Sequence, residues 1–267
     1  MQVMNNKVIG HNWNEELEFA KKLAHEAGAI MLEYFDNEKK VEDKIDGTIV
    51  TIADKAINSF VIERLSEVFP DDGIIGEEQS NSEYGYGRKW ICDPIDGTWA
   101  FVTGVPTFMF SLALVIDGVP VLGVAYDPIL DKLYSATKNG GAYCNNKRIQ
   151  VSQKTTSNGI LAVTGSIKKM QEKNSYVKEV LSREIKFVSV NGAVFKACLV
   201  ASGRCIAYIG ESLNPHDVAA THIITEEAGG KVTDFSGKVL DYKKHFSDTI
   251  ISNGVVHEEI IDLVNPK

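Results

Sequence analysis

The chain has 267 residues, 44% of them hydrophobic and 24% charged, with a formal charge of −8 at pH 7. That length suffices for a packed enzyme that buries about three quarters of its unfolded surface, and the acidic balance argues against a nucleic-acid polymer as partner, because such binding is driven by clustered Lys and Arg. No apolar run approaches the roughly 18 residues needed to span a bilayer, and Met1-Gln2-Val3-Met4 lacks the layout of a signal peptide, so no membrane partner and a cytoplasmic location are expected.

Taken in order, Asn12 three residues before Glu15 has the form of a capping box. Phe19, Ala20, Leu23, Ala24, Ala27, Ile30, Met31 and Tyr34 then recur at helical spacing, which predicts a first helix over 13–35 with a core or subunit-contact stripe. After a polar loop at 36–47, the run from Thr48 to Ile52 reads as a short strand ending at Asp54, followed by a second amphipathic helix through Ile57, Phe60, Val61, Leu65 and Val68. Asp54 sits where strand becomes helix, a position that Asp caps well. Asp71-Asp72-Gly73 reads as a turn, Ile74-Ile75-Gly76 as a brief buried strand, and Glu77-Glu78 as the opening of a mobile polar loop.

The run Trp90-Ile91-Cys92 ends at two carboxylates, Asp93 and Asp96. Pro94 cannot donate to a ladder, so the strand is expected to stop near Asp93. Gly97 permits a tight turn, and the N–H groups of Gly97 and Thr98 open a helical segment, where an anion binds well. The two carboxylates with the Ile95 carbonyl make a hard-oxygen cluster of the kind Mg²⁺ prefers. A phosphorylated substrate would be repelled by so acidic a site unless divalent cations reversed the local field, so the net charge supports a metal. Beyond this stretch, Asp117-Gly118 between two apolar runs predicts a hairpin. Lys132–Thr137 and the Asn139-Gly140-Gly141 turn continue an antiparallel meander to about Val151.

Past a loop at 152–159 the pattern changes to alternating strand and helix, as in parallel α/β architecture: strand at 160–164, polar helix at 168–184, strand at 185–190, helix at 193–201, strand at 205–209 and helix at 215–228. Pro215 suits a first helical turn and Gly229-Gly230 its exit, which places Asp217 favourably for the helix dipole. The six histidines stand in no nucleophile motif, and Gly-x-Ser-x-Gly, P-loop and dinucleotide fingerprints are absent. Cys92, Cys144, Cys198 and Cys205 form no CxxC pair and are expected to be free buried thiols.

Asp93-Pro94-Ile95-Asp96-Gly97-Thr98, preceded by Gly76-Glu77-Glu78 and followed by Asp217-Val218-Ala219-Ala220, resembles the inositol monophosphatase family, part of a superfamily of Mg²⁺-dependent, lithium-sensitive phosphatases. The motifs keep the family's order from Val50 to Gly230. The resemblance implies an α/β (α+β) fold, a layered αβαβα sandwich of the sugar-phosphatase type. An antiparallel lobe at 1–153 would carry most metal ligands, and an alternating lobe at 154–267 would add Asp217 and substrate-selecting residues. It further implies two or three Mg²⁺ ions held by Glu77, Asp93, the Ile95 carbonyl, Asp96 and Asp217, with Asp93 as the bridge and Glu78 orienting Glu77. Thr98, hydrogen-bonded to Asp54, and Glu77 would be the catalytic groups, and the molecule a homodimer.

By the same resemblance the reaction is hydrolysis of a small phosphate ester by metal-activated water, with inositol monophosphate or a sugar phosphate as first expectation. Histidinol phosphate and a 3′-phosphoadenosine-type nucleotide are alternatives on the same fold, and a non-catalytic metal- or phosphate-binding regulator is a different class of reading. The implied substrate contacts are Asp96, Gly97, Thr98, Asn191, Gly192, Ala193, Lys196, Glu211 and His216. Several depart from the family pattern: His216 stands where Trp is frequent, Gly210 with Glu211 alongside where Glu is frequent, and Asn58 and Ala100 where Glu and Asn are common. Lys196 resembles relatives that act on more highly charged phosphates, and His216 reads equally as a packed helix residue.

Overall fold

A computed structural model describes residues 11–35, 41–43, 49–163 and 176–266, so the expectations for 1–10, 36–40, 44–48 and 164–175 lie outside the described residues. Helix α1 (Asn14–Phe35) buries Ala20, Leu23, Ala24, Ala27 and Met31, the stripe its spacing predicts. Ahead of it Asn12 Oδ1 accepts from the Asn14 N–H at 3.2 Å. A short antiparallel pair, β1 (Val41–Asp43) and β2 (Ile49–Thr51), leads straight into α2 (Ile52–Val68). The cap of α2 is Thr51 rather than Asp54, which lies inside the first turn and closes a capping box.

Seven strands follow in one sheet, adjacent in chain order: β3 (Gly73–Gly76), β4 (Arg88–Asp96), β5 (Met109–Ile116), β6 (Val119–Asp127), β7 (Lys132–Thr137), β8 (Gly141–Cys144) and β9 (Lys147–Arg148). Only the β3–β4 pair is parallel. Asp117 and Gly118 turn the β5–β6 hairpin with φ of 50° and 84°, the double positive-φ geometry that suits strand twist. One expectation fails here, since β4 does not stop at Asp93 but runs to Asp96. Its register against β5 shifts between those two residues, and Pro94 sits in that irregularity, where a missing N–H interrupts no regular ladder.

The second sheet takes the order β11 (Phe187–Ser189), β10 (Leu161–Val163), β12 (Ala207–Gly210), β14 (Thr249–Ser252), β13 (Lys231–Thr233). Strand β10 is parallel to both neighbours, but β14 is antiparallel to β12 and to β13, so this sheet is mixed rather than purely parallel. Strands β13 and β14 and the helix after them, all short, escaped the sequence pattern, and the two strands meet only across the long loop between Thr233 and Thr249. Among the described residues four helices accompany this sheet: α4 (Tyr176–Ser182), α5 (Ala193–Ala201), α6 (Pro215–Glu227) and α7 (His257–Val264).

Alternation along the strands assigns the layers. Phe110, Leu112 and Leu114 of β5 pack into the cluster of α1 and α2, while Ala113 and Val115 face an inner cluster with Ala197, Val218 and Ala219. Tyr208 of β12 enters that inner cluster from the other side, whereas Ala207 and Ile209 turn outward to Val177, Val180, Ile260 and Leu263. Helices α5 and α6 thus lie between the two sheets, with α1 and α2 outside one and α4 and α7 outside the other, giving the αβαβα sandwich. Residues on both sides of position 153 share the inner cluster. All four cysteines are free, Cys144 half-buried and the others buried. Among the described residues no helix is long and apolar enough to cross a membrane.

Candidate active site

The site forms where β4 ends beside the first turns of α5 and α6. Asp93 and Asp96 flank the β4 irregularity and are 1% and 4% exposed, and Asp217 arrives on the first turn of α6. One carboxylate oxygen from each of the three lies within 4.8 Å of the others. Glu77 joins from the end of β3, where its N–H donates to the Cys92 carbonyl at 3.2 Å. With Ile95, Asn191 and Thr98 these groups line a cleft of about 210 Å³, whose remaining wall is Ile49, Gly97 and Trp99. A larger cavity of about 370 Å³ beside α1 and the β7–β8 turn is lined by residues such as Lys21, Ser135 and Tyr143 and holds no acid. Charge, not size, therefore singles out the cleft.

Two close approaches make the junction possible. Gly97 ends β4 with φ of 88° and Gly192 precedes α5 with φ of 90°, and a Cβ on Gly97 would lie 3.2 Å from the Gly192 Cα. A Cβ on Gly192 would lie 2.4 Å from the Thr107 carbonyl and 3.0 Å from Asp96 Oδ2. Glycine at both positions lets the start of α5 close on the Asp96 carboxylate. Its amides bind it: Ala193 N–H donates to Oδ1 at 2.7 Å, and Val194 and Phe195 N–H to Oδ2 at 2.8 and 3.4 Å. This contact joins residues nearly a hundred positions apart without any metal.

The electrostatics are those of acids crowded out of water. Burial, then the charges of Glu77, Asp96 and Asp217, push Asp93 well above the usual carboxylate range. Burial and the Asp217 charge raise Asp96 to about 7, against the opposing pull of the α5 amides and Lys196. Asp217 is raised by burial, opposed first by His216. Lys196 is 4% exposed, its ammonium 4.6 Å from the centroid of the Tyr208 ring, and burial lowers it to about 8 despite the attraction of Asp96 and Asp217. Asp93 Oδ1 is buried with no hydrogen-bond partner. A buried carboxyl oxygen without a donor, among further carboxylates, is the environment that a hard divalent cation satisfies. The residues present fit such an ion.

The remaining expected residues divide. Thr98 opens α3 (Thr98–Thr103) and lines the cleft, but its hydroxyl donates to the Ile95 carbonyl at 3.3 Å and not to Asp54. Asp54 Oδ2 is occupied by the Thr51 N–H and hydroxyl at 2.7 and 2.6 Å, the bonds that start α2, while its Oδ1 is buried without a partner. Burial raises Asp54 to about 7, with smaller contributions from Glu77 and Glu78. Gly192 and Ala193 shape the site through Asp96 and do not line the cleft, and Lys196 likewise reaches the acids from the interior. Glu78, Glu211 and His216 also stand off the cleft lining, His216 Nε2 lying 4.0 Å from Asp217 Oδ2. The loop after Glu77 is fixed at its start: Ser80 Oγ donates to the Gly76 carbonyl, and Asn81 pairs with Ile74 through both its amide N–H and its side-chain oxygen. Sequence reasoning overlooked Ile49 and Trp99, although Trp99 adjoins Gly97-Thr98 directly.

Residues 12–266 match the model of the inositol monophosphatase family. The chain is 36% identical over 253 residues to the fructose-1,6-bisphosphatase/inositol-1-monophosphatase of Thermotoga maritima, covering 94% of this chain and 96% of that one. It is also 36% identical over 226 residues to the histidinol-phosphatase of Chlorobaculum parvum, covering 84% and 87%. Among solved structures, an IMPase of Thermotoga maritima superimposes with a TM-score of 0.86 at 32% identity, over 94% of this chain and 97% of that one.

Proposed function

The chain belongs to the inositol monophosphatase family, whose members hydrolyse phosphate monoesters, and we propose that it is a Mg²⁺-dependent phosphomonoesterase for a small phosphorylated polyol, an inositol monophosphate or sugar phosphate. The observation that carries this reading is the convergence of Asp93, Asp96 and Asp217 within 4.8 Å in a cleft that also holds Glu77 and Thr98. Glu77, Asp93, the Ile95 carbonyl, Asp96 and Asp217 would hold the ions, two or three in number. When bound, the cations neutralise the phosphoryl oxygens and lower the pKa of the attacking water.

The protein's own groups do the rest. Gly97, Thr98 and Asn191 line the space for the ester and restrict its orientation. Thr98 positions the attacking water through its hydroxyl, and the proton released passes toward Asp54, whose open Oδ1 and raised pKa suit an acceptor. Asp96 is held by three backbone donors and keeps its place while charge develops. Among the described residues that line the cleft there is no Lys or Arg, which favours a leaving group rich in hydroxyls over one carrying a second phosphate. The same hard-oxygen set suits Li⁺ as an inhibitor. Two lobes at 1–153 and 154–267, a homodimer and a cytoplasmic location complete the reading.

A second reading, histidinol phosphate, draws support from the equal identity to a histidinol-phosphatase. Phosphate release from a panel of esters, with Mg²⁺ and with chelator, tests both. Inositol and sugar monophosphates should lead the panel, and chelation should abolish release until Mg²⁺ is restored. Histidinol phosphate leading by tenfold would favour the second reading, and no release from any ester would leave a binding protein.

A further inference from the structure

Large aromatic side chains are usually covered, because each removes 150 Å² or more from water when it packs. The chain has three tryptophans; Trp13 and Trp90 are 5% and 0% exposed, whereas Trp99 is 55% exposed. Trp99 is also the residue that follows Thr98 on the first turn of α3, and it lines the cleft that contains Asp93, Asp96 and Asp217. The other wall groups of that cleft are chiefly carboxylates, a carbonyl, a hydroxyl and an amide, all occupied with phosphate, ions or water in the reading above. Of the large apolar residues along it, Ile49 and Ile95 are buried, and Trp99 is the one with most of its surface left to meet anything else.

From this placement we propose that Trp99 is a specificity-determining residue: its indole forms the apolar wall against which the leaving group lies, and it favours phosphate esters of cyclic alcohols over acyclic ones. A six-membered polyol ring presents a flat face of C–H groups, which can leave water against an indole while the hydroxyls at its edge stay solvated. An acyclic alcohol such as glycerol has no such face and would have to be ordered first, losing rotamer freedom in the process. The inference rests on the phosphomonoesterase reading for its substrate class, yet the contact it names can be read by binding alone. It places the discrimination on the first turn of α3, not on Lys196, which is buried behind the acids.

Turnover and binding test it separately. For the Mg²⁺-loaded enzyme, the ratio of kcat/KM for inositol 1-phosphate to that for glycerol 2-phosphate is expected to fall about 5-fold in Trp99→Ala, the scale of a few tens of Å² of apolar contact, and to stay within about twofold of wild type in Trp99→Phe. Because the other two tryptophans are buried, acrylamide quenching of the fluorescence reports Trp99. Cyclohexylphosphonate, which is not hydrolysed, should protect that emission from the quencher, and methylphosphonate should not. An unchanged ratio in Trp99→Ala, or equal quenching with both phosphonates, overturns the proposal. Absence of turnover on every ester would contradict the phosphatase reading, and the quenching comparison would still decide the role of Trp99.

Discussion

Asp93 and Asp96 stand three residues apart on one strand and meet opposite surroundings. Asp96 accepts three backbone N–H donors from the start of α5, so the fold uses it whether or not an ion is present. Asp93 has a buried oxygen with no donor at all, and its neighbours Glu77, Asp96 and Asp217 are acids. Asp217 resembles Asp96, because its Oδ2 accepts the Asn214 N–H at the head of α6. A carboxylate that closes a helix start is set in place by backbone geometry, whereas one held only among like charges costs stability until a cation arrives. Of the three clustered aspartates, Asp96 and Asp217 therefore also close helix starts, and Asp93 does not.

The sharpest way to break this comparison is Asp93→Asn. Turnover is expected to fall at least about 10³-fold, since an ion site worth several kcal/mol is lost, while the metal-free protein unfolds at the same or a higher temperature than wild type. Activity within tenfold of wild type would remove Asp93 from the centre of the site. Next in size is Thr98→Ala, for which kcat should drop roughly 10²-fold, the scale of a positioned proton-transfer group, with less change in KM. A pure KM effect would make Thr98 a substrate contact only.

Asp96→Asn sharpens the contrast from the other side. It also loses turnover, but it weakens the bonds to α5 in the metal-free protein, which should cost about 1–3 kcal/mol and lower the unfolding midpoint by several degrees. Equal midpoints for Asp93→Asn and Asp96→Asn without metal would show that the two carboxylates are not structurally different. The smallest effect belongs to Lys196→Met, which removes a buried cation close to two acids yet keeps much of the stem's packing. A modest loss of stability is expected, with the ranking among phosphate esters unchanged, and a changed ranking would restore Lys196 as a substrate contact.

The sequence carried what is local. The Asp117-Gly118 hairpin, the helix at 193–201 and the placing of Asp217 at a helix head could all be read from turn, periodicity and capping chemistry. The clustering of Glu77, Asp93, Asp96 and Asp217 was legible through their motifs. What escaped depends on distant partners. That Asp96 closes on the amides of Ala193–Phe195 requires the sandwich to be assembled. Lys196 reads as a substrate contact until Tyr208 is seen beside its ammonium. Pro94 signals a strand end by local rules, and only the register shift against β5 shows how the strand passes through it. The expected Thr98–Asp54 bond is likewise replaced by one to a neighbour in the assembled turn, since the Thr98 hydroxyl donates to the Ile95 carbonyl while Asp54 Oδ1 stays without a partner.

If the cluster serves divalent ions, unfolding should depend on pH and on Mg²⁺ together. Asp54 and Asp96 are raised from 3.8 to about 7, so their contribution is full at low pH and is lost as pH rises through about 7. The unfolding midpoint of chelator-treated wild type and Asp93→Asn would be measured at pH 5 and pH 8, each with and without Mg²⁺. Metal-free wild type is expected to weaken from pH 5 to pH 8, Mg²⁺ to restore it by several degrees at pH 8, and Asp93→Asn to show a smaller decline and little response to the ion. A wild-type midpoint indifferent to Mg²⁺ at pH 8, or an equal response in Asp93→Asn, would contradict the divalent-ion reading.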